Sequence, residues 1–311
     1  MRWSTPAAAI AVDLLWGEPP ARAHPVVWIG KVIEALERRA PRGPTARMAY
    51  GAWMVAAGVA LFAVPAWHLE RTLAPLGLPG AVALGLCLKP AFAIRELLRA
   101  TERVRAALAQ DDLRGAREAL RSLVSRDTSA LPAPLLAAAA IESVAENLGD
   151  SVVAPLFYYC LWGMPGAVAY RVVNTMDAMV GYRNERYEHL GKAAARLDDL
   201  ANLVPARLAA LLLVAAAPLA GCSVREAWRT LWRDHGIPAS PNAGWPMSAA
   251  AGALGVQLEK VGQYRLNQAG RLPAAQDVAR ALALVRAALA LGAPLLAAAM
   301  LGRPAPHGER A

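Results

Sequence analysis

The sequence predicts an all-α fold: a polytopic integral membrane bundle with amphipathic cytoplasmic helices and a re-entrant segment. Three observations lead there. Of 311 residues, 56% are hydrophobic and 18% are charged, whereas a soluble protein carries about 25% charged residues. Ala, Leu and Val dominate while Phe occurs only three times, which favours helices over strands. Uncharged runs of spanning length recur between short polar stretches. One polytopic domain over residues 1–302 accounts for this better than two soluble ones, with a polar helical insertion at about 95–130 and a disordered tail at 303–311.

The elements follow in order. Residues 7–12 are too short for the apolar region of a signal peptide, and Asp13 ends them. His24-Pro25 closes a polar stretch in which a lone histidine reads as structural. Residues 50–67 form an uncharged run of 18 with aromatic residues at both ends, an ordinary spanning signature. Residues 73–94 form a second candidate, interrupted near its end by Lys89-Pro90. Residues 95–126 alternate Arg with Glu or Asp around leucines at helical spacing, with Asp111-Asp112 as the turn of a solvated helical hairpin. Ser125-Arg126-Asp127-Thr128 reads either as a cap for the next helix or, through Arg126, as a bidentate grip on phosphate or carboxylate.

Residues 131–168 are long enough to span but are divided by Glu142, Glu146 and Asp150. Recurring every four residues, these carboxylates share one helix face within an arc of roughly 80°. Burying one without a partner costs several kcal/mol, and three together repel one another. The stripe therefore lines an aqueous cavity, meets cations, or both. Two half-helices in a re-entrant hairpin would satisfy the pattern. Residues 204–221, with Arg207 near their start, and 281–301, with Arg286 inside, complete the candidate spans.

The net charge of +9 is scattered over many short stretches without aromatic-basic interleaving, which excludes nucleic acid as the partner. It fits cytoplasmic loops and anionic small substrates. Basic residues crowd 31–47, 95–126, 183–196 and 225–280, and simple alternation of spans cannot put all four on one side. Either one segment is re-entrant or the charge rule is broken. Cys87, Cys160 and Cys222 stand alone, with no CxxC spacing, so neither zinc nor a disulfide framework is indicated. No nucleotide-binding glycine loop and no nucleophile elbow occurs.

Two further stretches carry chemistry. Asn174 and Asp177 lie three apart on one helix face; Asp198, Asp199 and Asn202 follow in a DDxxN arrangement, ahead of Arg207. Such hard oxygen ligands suit Mg²⁺ carrying a polyphosphate, while a helix cap or a surface pair would also explain them. Ser240-Pro241-Asn242-Ala243-Gly244 reads as a stiff turn before a small-residue helix at 248–254.

Taken in order, these islands resemble the CobD/CbiB family of cobalamin-biosynthesis membrane proteins. They are Asp13…Gly17-Glu18-Pro19…His24-Pro25, Ser125-Arg126-Asp127-Thr128, Glu142-Ser143-Val144-Ala145-Glu146-Asn147…Asp150, Asn174-Thr175-Met176-Asp177…Gly181-Tyr182-Arg183, Arg196-Leu197-Asp198-Asp199…Pro205-Ala206-Arg207 and Ser240 to Gly244. Glu18 departs from the family, which more often has aspartate there. The resemblance implies an adenosylcobinamide-phosphate synthase in the cytoplasmic membrane, with its site facing the cytoplasm. Such an enzyme is an amide ligase that joins aminopropanol phosphate to the free propionate of adenosylcobyric acid, driven by ATP and Mg²⁺. Membrane lipid, a second copy of the chain and other cobalamin-pathway membrane enzymes are its expected neighbours. On this reading Glu142, Glu146 and Asp150 are catalytic. Arg126, Asn147, Asn174, Arg183, Arg196, Arg207 and Asn242 bind substrate or phosphate, and Asp177, Asp198, Asp199 and Asn202 hold the metal. Two other readings are a corrinoid transporter or non-catalytic assembly protein, which would turn over no ATP, and a membrane enzyme acting on lipid diphosphates.

Overall fold

The computed structural model describes residues 3–301, so the expected tail at 303–311 lies outside the described residues. The chain opens with α1 (Ser4–Trp16), α2 (Pro25–Glu37), α3 (Pro44–Leu73) and α4 (Gly77–Leu88). The amphipathic pair α5 (Ile94–Ala109) and α6 (Leu113–Leu120) turns at Asp111-Asp112 as the charge pattern requires; Asp112 Oδ1 accepts the Gly115 N–H at 2.8 Å as the cap of α6. Then come α7 (Ala133–Leu148), α8 (Ala154–Trp162), α9 (Met164–Val180), α10 (Lys192–Ala201), α11 (Leu203–Ala216), α12 (Val224–Asp234) and α13 (Gly244–Leu254). A short antiparallel hairpin, β1 (Leu258–Lys260) with β2 (Tyr264–Leu266), precedes the long α14 (Ala275–Leu301).

Among the described residues three stretches are long and apolar enough to cross a bilayer: 44–109, which contains α3, then 203–220 and 275–300. α3 has 30 residues and swallows the expected span at 50–67, reaching ~45 Å at 1.5 Å per residue. The expected span at 73–94 does not form as one helix. α4 has 12 residues and stops at Leu88; at ~18 Å it is shorter than a hydrocarbon core of about 30 Å. Pro90 has no N–H to continue the ladder, and residues 89–91 turn in a 3-10 helix.

The run at 131–168 also departs from expectation. The carboxylate stripe does not separate two half-helices. α7 and α8 form one continuous rod, joined by a single π-helical turn at Gly149–Val153. The reversal falls later, at Gly163, whose φ of +73° only glycine adopts without strain. There the Met164 N–H donates to Glu70 Oε2 on α3 at 3.0 Å, which satisfies the first turn of α9.

Two apolar cores share this frame. The larger gathers α4 to α8, α11, α13 and α14 around α7, whose residues from Leu136 to Ala145 are all buried. The smaller joins α2, α3, α9 and α10 through Ile33, Met54, Val172, Met176 and Leu190. Its packing is close. A Cβ on Gly51 of α3 would lie 2.0 Å from the Leu190 carbonyl oxygen, so only glycine fits there. Of the polar residues singled out in the sequence, Glu146, Asp150, Asp177 and Asp198 collect where the two cores meet.

Candidate functional site

The stripe runs down α7 into the π-turn. Glu142 is buried and paired with Arg126 at 3.1 Å, while Glu146 and Asp150 are half-buried. Arg126 belongs to the loop after α6. Its neighbours do not cap α7, contrary to one reading of Ser125 to Thr128. Pro132 precedes α7 without a side-chain cap, Thr128 Oγ1 donates back to the Arg117 carbonyl, and Asp127 accepts from Ser129.

Beside the stripe runs a row of small polar groups. Ser143 Oγ donates to the Leu123 carbonyl at 2.9 Å, Asn147 Nδ2 donates to the Ser143 carbonyl at 2.9 Å, and Ser151 Oγ donates to Asn147 Oδ1 at 3.0 Å. Asn147, expected to bind substrate, is thus engaged within its own helix as a brace. Pro155 has no N–H to offer the Asp150 and Ser151 carbonyls behind it, and both find other partners. The Asp150 carbonyl accepts from Tyr170 Oη at 3.1 Å, and the Ser151 carbonyl accepts the Ala93 N–H at 3.1 Å. π-turns recur at functional sites because they aim side chains an α-helix cannot.

Facing the stripe, α9 and α10 carry the second acidic set. Asp198 is held from two sides: Asn174 Nδ2 donates to its Oδ1 at 3.2 Å and Asn202 Nδ2 to its Oδ2 at 3.0 Å. Asn202 Oδ1 accepts from Tyr170 at 2.9 Å and Asn174 Oδ1 from Arg171 at 3.3 Å. Both asparagines therefore position Asp198. The oxygen of Asn202, expected as a metal ligand, is the one that accepts from Tyr170. Asp177, in the last turn of α9, is pushed up to about 7 by burial and by the charges of Asp198 and Asp199. Burial also raises Asp198 and Asp199; Arg196 and Arg183 pull Asp199 back down.

Arg183 and Arg196 line a cavity of about 280 Å³ together with Tyr187, Glu188, Lys192 and Asp199. Arg207 and Asn242 form a separate strut. Arg207 donates to the Leu203 carbonyl at 2.7 Å and to Asn242 Oδ1 at 3.3 Å, its guanidinium lying 4.4 Å from the centre of the Trp245 ring. Asn242 Nδ2 in turn donates to the Asp199 carbonyl at 2.7 Å, which fixes the start of α11 against α10.

Among the described residues no three carboxylate, histidine or cysteine side chains converge into a metal-holding cluster. The donor chemistry nonetheless suits a hard cation. The side chains of Glu146, Asp150, Asp177 and Asp199 have no hydrogen bond or ion pair there, and like charges left so close favour an ion that brings its own oxygens.

A family model described as CobD/Cbib protein matches residues 6–291. The chain belongs to the CobD/CbiB family. It is 47% identical to "Cobalamin biosynthesis protein CobD" of Dehalococcoides mccartyi (strain CBDB1), over 89% of this chain and 90% of that one. It is 47% identical to the protein of that name from Geobacter metallireducens, over 82% and 81% of the two chains. To that of Rhodobacter capsulatus it is 41% identical over 91% and 92%. No solved structure matches.

The N-terminal CobD/CbiB motif proves to be a buried ion cluster beside this site. Lys89 Nζ lies 3.1 Å from Asp13 Oδ1 and 2.5 Å from Glu18 Oε1, and His24 Nε2 lies 2.8 Å from Glu18 Oε2. Because His24 Nδ1 accepts the Val26 N–H, the imidazole proton sits on Nε2 and is donated to Glu18. The Arg95 N–H donates to Asp13 Oδ2 at 2.8 Å. Lys89, which in sequence only spoils a span, is the hub of this cluster. Arg171, whose field reaches both Glu18 and Asp150, was not singled out in the sequence, where its place as a lone cation in the apolar run of α9 is the signal that could have found it. Lys260 and Tyr264, which face Glu142 and Glu146, gave no such signal.

Proposed function

We propose that this protein acts in cobalamin biosynthesis as a membrane amide ligase. It would join aminopropanol, as its O-phosphate, to the free propionate carboxylate of adenosylcobyric acid with consumption of ATP. The observation that carries the reading is the meeting of two carboxylate sets on facing helices, largely free of donors, beside a cavity lined by Arg183, Lys192 and Arg196. The relatives named as cobalamin biosynthesis proteins supply the pathway. The long apolar helices fit a membrane protein, and on this reading it would sit in the cytoplasmic membrane with its site open to the cytoplasm.

The chemistry needs every part of that arrangement. A carboxylate resists attack by an amine until one of its oxygens becomes a leaving group. ATP supplies it, as an acyl phosphate or an acyl adenylate. The amine nitrogen then bonds to the acyl carbon, the activated oxygen departs with phosphate or AMP, and the ammonium proton must go to a base. Glu146, half-buried and without a donor, is placed to take that proton. Mg²⁺ brought in with ATP would screen its phosphate charge. Asp177, Asp198 and Asp199 would be the residues to hold it, with Asn174 and Asn202 fixing the Asp198 carboxylate. Arg183 and Arg196 bind phosphate oxygens, where a planar fork of donors matches the acceptor geometry.

The test is incubation of detergent-purified protein with cobyric acid, aminopropanol phosphate, ATP and Mg²⁺, followed by mass spectrometry of the corrinoid. The expected product is heavier than the acid by the amine less one water, and forms only with ATP. Folded protein that binds the corrinoid yet leaves its mass unchanged would favour a transporter or assembly role.

A further inference from the structure

The hairpin at 258–266 lies outside every motif that the proposed reaction uses. Its register pairs Leu258 with Leu266, Glu259 with Arg265 and Lys260 with Tyr264. Leu258 and Leu266 are fully buried, so strand alternation puts Lys260 and Tyr264 on that same inward face. Glu259 and Arg265 point the other way and pair with each other at 2.8 Å. The tip is fixed by a turn in which the Gln263 N–H donates to the Lys260 carbonyl at 2.9 Å, with Gly262 at φ +73°. Tyr264 Oη rests 3.7 Å from Met247 Sδ on α13, which holds the inward face against the bundle.

This face covers the upper half of the stripe. Lys260 exerts its charge on both Glu142 and Glu146. Even so, among the described residues its ammonium makes no hydrogen bond and no ion pair within 4 Å. A lysine kept only as a counter-ion would close on one of those carboxylates. Across the stripe Arg126 spends one nitrogen on Glu142, and its buried Nε has no partner at all. A buried guanidinium N–H without an acceptor is costly, which marks a place where an acceptor is expected. The lower half sets three carboxylates, Asp150, Asp177 and Asp198, against Arg171. The stripe thus differs along its length, with Arg126 and Lys260 beside Glu142 and Glu146 at one end and an excess of carboxylates at the other.

We propose that Lys260 and Arg126 seat the reacting carboxylate of the acid substrate, with Lys260 as a substrate-binding residue carried in by the hairpin. The inference rests on the ligase reading. It places the acyl group over Glu142 and Glu146 and leaves the acidic end for the cationic participants, the amine and the metal that accompanies ATP. An anion held between an ammonium and a guanidinium gains charge-assisted hydrogen bonds that a neutral amide of the same shape cannot make.

Two corrinoid probes separate that role from a structural one: cobyric acid, and the same corrin with its free carboxylate converted to a primary amide. Equilibrium dialysis against detergent-purified full-length protein without ATP, followed by the corrin's visible absorbance, reads both affinities. Wild type should prefer the acid by about tenfold or more, the scale of one charged hydrogen bond. Lys260→Met should cut that preference severalfold, leaving what Arg126 supplies, while its affinity for the amide stays within about twofold, the sign of an intact fold; Lys260→Arg should restore most of it. Undiminished preference in Lys260→Met overturns the proposal, and so does an equal loss of affinity for both probes. Wild type that binds neither corrinoid would bring down the ligase reading itself, a result distinct from either of those.

Discussion

Replacing Asp177 by Asn tests the acidic junction through its pH dependence. The carboxyl sits half-buried in the last turn of α9, facing Asp198 and Asp199, and is raised from 3.8 to about 7 in the folded protein. Between those two values the folded chain keeps a proton that the unfolded chain has released. This contribution to stability is complete below the unfolded value, declines as pH rises through the window, and is gone above the folded value. At about 1.4 kcal/mol per pH unit, the three-unit gap sets a ceiling of about 4 kcal/mol above pH 7. At pH 5 roughly a third of that ceiling already applies, so the cost grows by about 2–3 kcal/mol between pH 5 and pH 8.

Asn keeps the shape and removes the charge, so its advantage over Asp should grow by that amount across the same interval. For a chain of this size the shift is about 3–5 °C in melting temperature. The measurement is detergent-phase thermal unfolding of both proteins at pH 5 and pH 8, with chelator present. Mg²⁺ added at pH 8 should narrow the gap by binding the aspartate form. An Asn variant with the same advantage at both pH values, or one less stable than wild type at pH 8, would refute the burial and repulsion assigned to Asp177.

Three other outcomes follow from the site. Glu146→Gln should fold normally or melt slightly higher, because one repelling charge is gone, while amide formation falls by about a hundredfold or more; normal specific activity would make the stripe structural. Arg126→Lys should lose most activity because lysine has no planar fork, and Arg207→Lys should lose thermal stability as well, since the contacts to Trp245 and Asn242 go with the guanidinium; wild-type turnover and melting in both would reduce them to topology determinants. Carbonate washing should leave the chain in the membrane, given α3 and the stretches 203–220 and 275–300; stable monodisperse protein in the wash would contradict the membrane reading.

Much of this is legible in the sequence. Apolar length announces α3, α11 and α14, and period-four spacing puts Glu142, Glu146 and Asp150 on one face. Two things were hidden. A π-turn adds one residue to a helical turn without changing composition, and the two carbonyls that Pro155 leaves free are taken by Ala93 and Tyr170, far away in sequence. That is why the stripe looked like a break needing two half-helices when it lies on one rod. The second is how amides divide their two ends: spacing brings Asn202 near Asp198, but only the fold shows its oxygen given to Tyr170. Lys260 belongs to the same class, since a three-residue strand carries too little pattern to reveal its inward face.

What holds mutually repelling carboxylates together is best seen at Tyr170. Asp150 belongs to a rod anchored in the larger core, and Asp198 to a helix of the smaller one. Left alone, their charges would drive the two cores apart. The Tyr170 hydroxyl lies 3.1 Å from the Asp150 carbonyl and 2.9 Å from Asn202 Oδ1, so one proton is shared between acceptors on the two sides of the junction. Its ring stacks on Tyr158 at 5.3 Å between centres, and Tyr158 donates to the Ala201 carbonyl at 2.8 Å. Two tyrosines from α8 and α9 therefore clamp the last turn of α10, beside the aspartates, to the π-turn. The clamp touches backbone and amide oxygens and leaves the carboxylates free. The site can then keep its charges close, because neutral groups one layer behind carry the restraint.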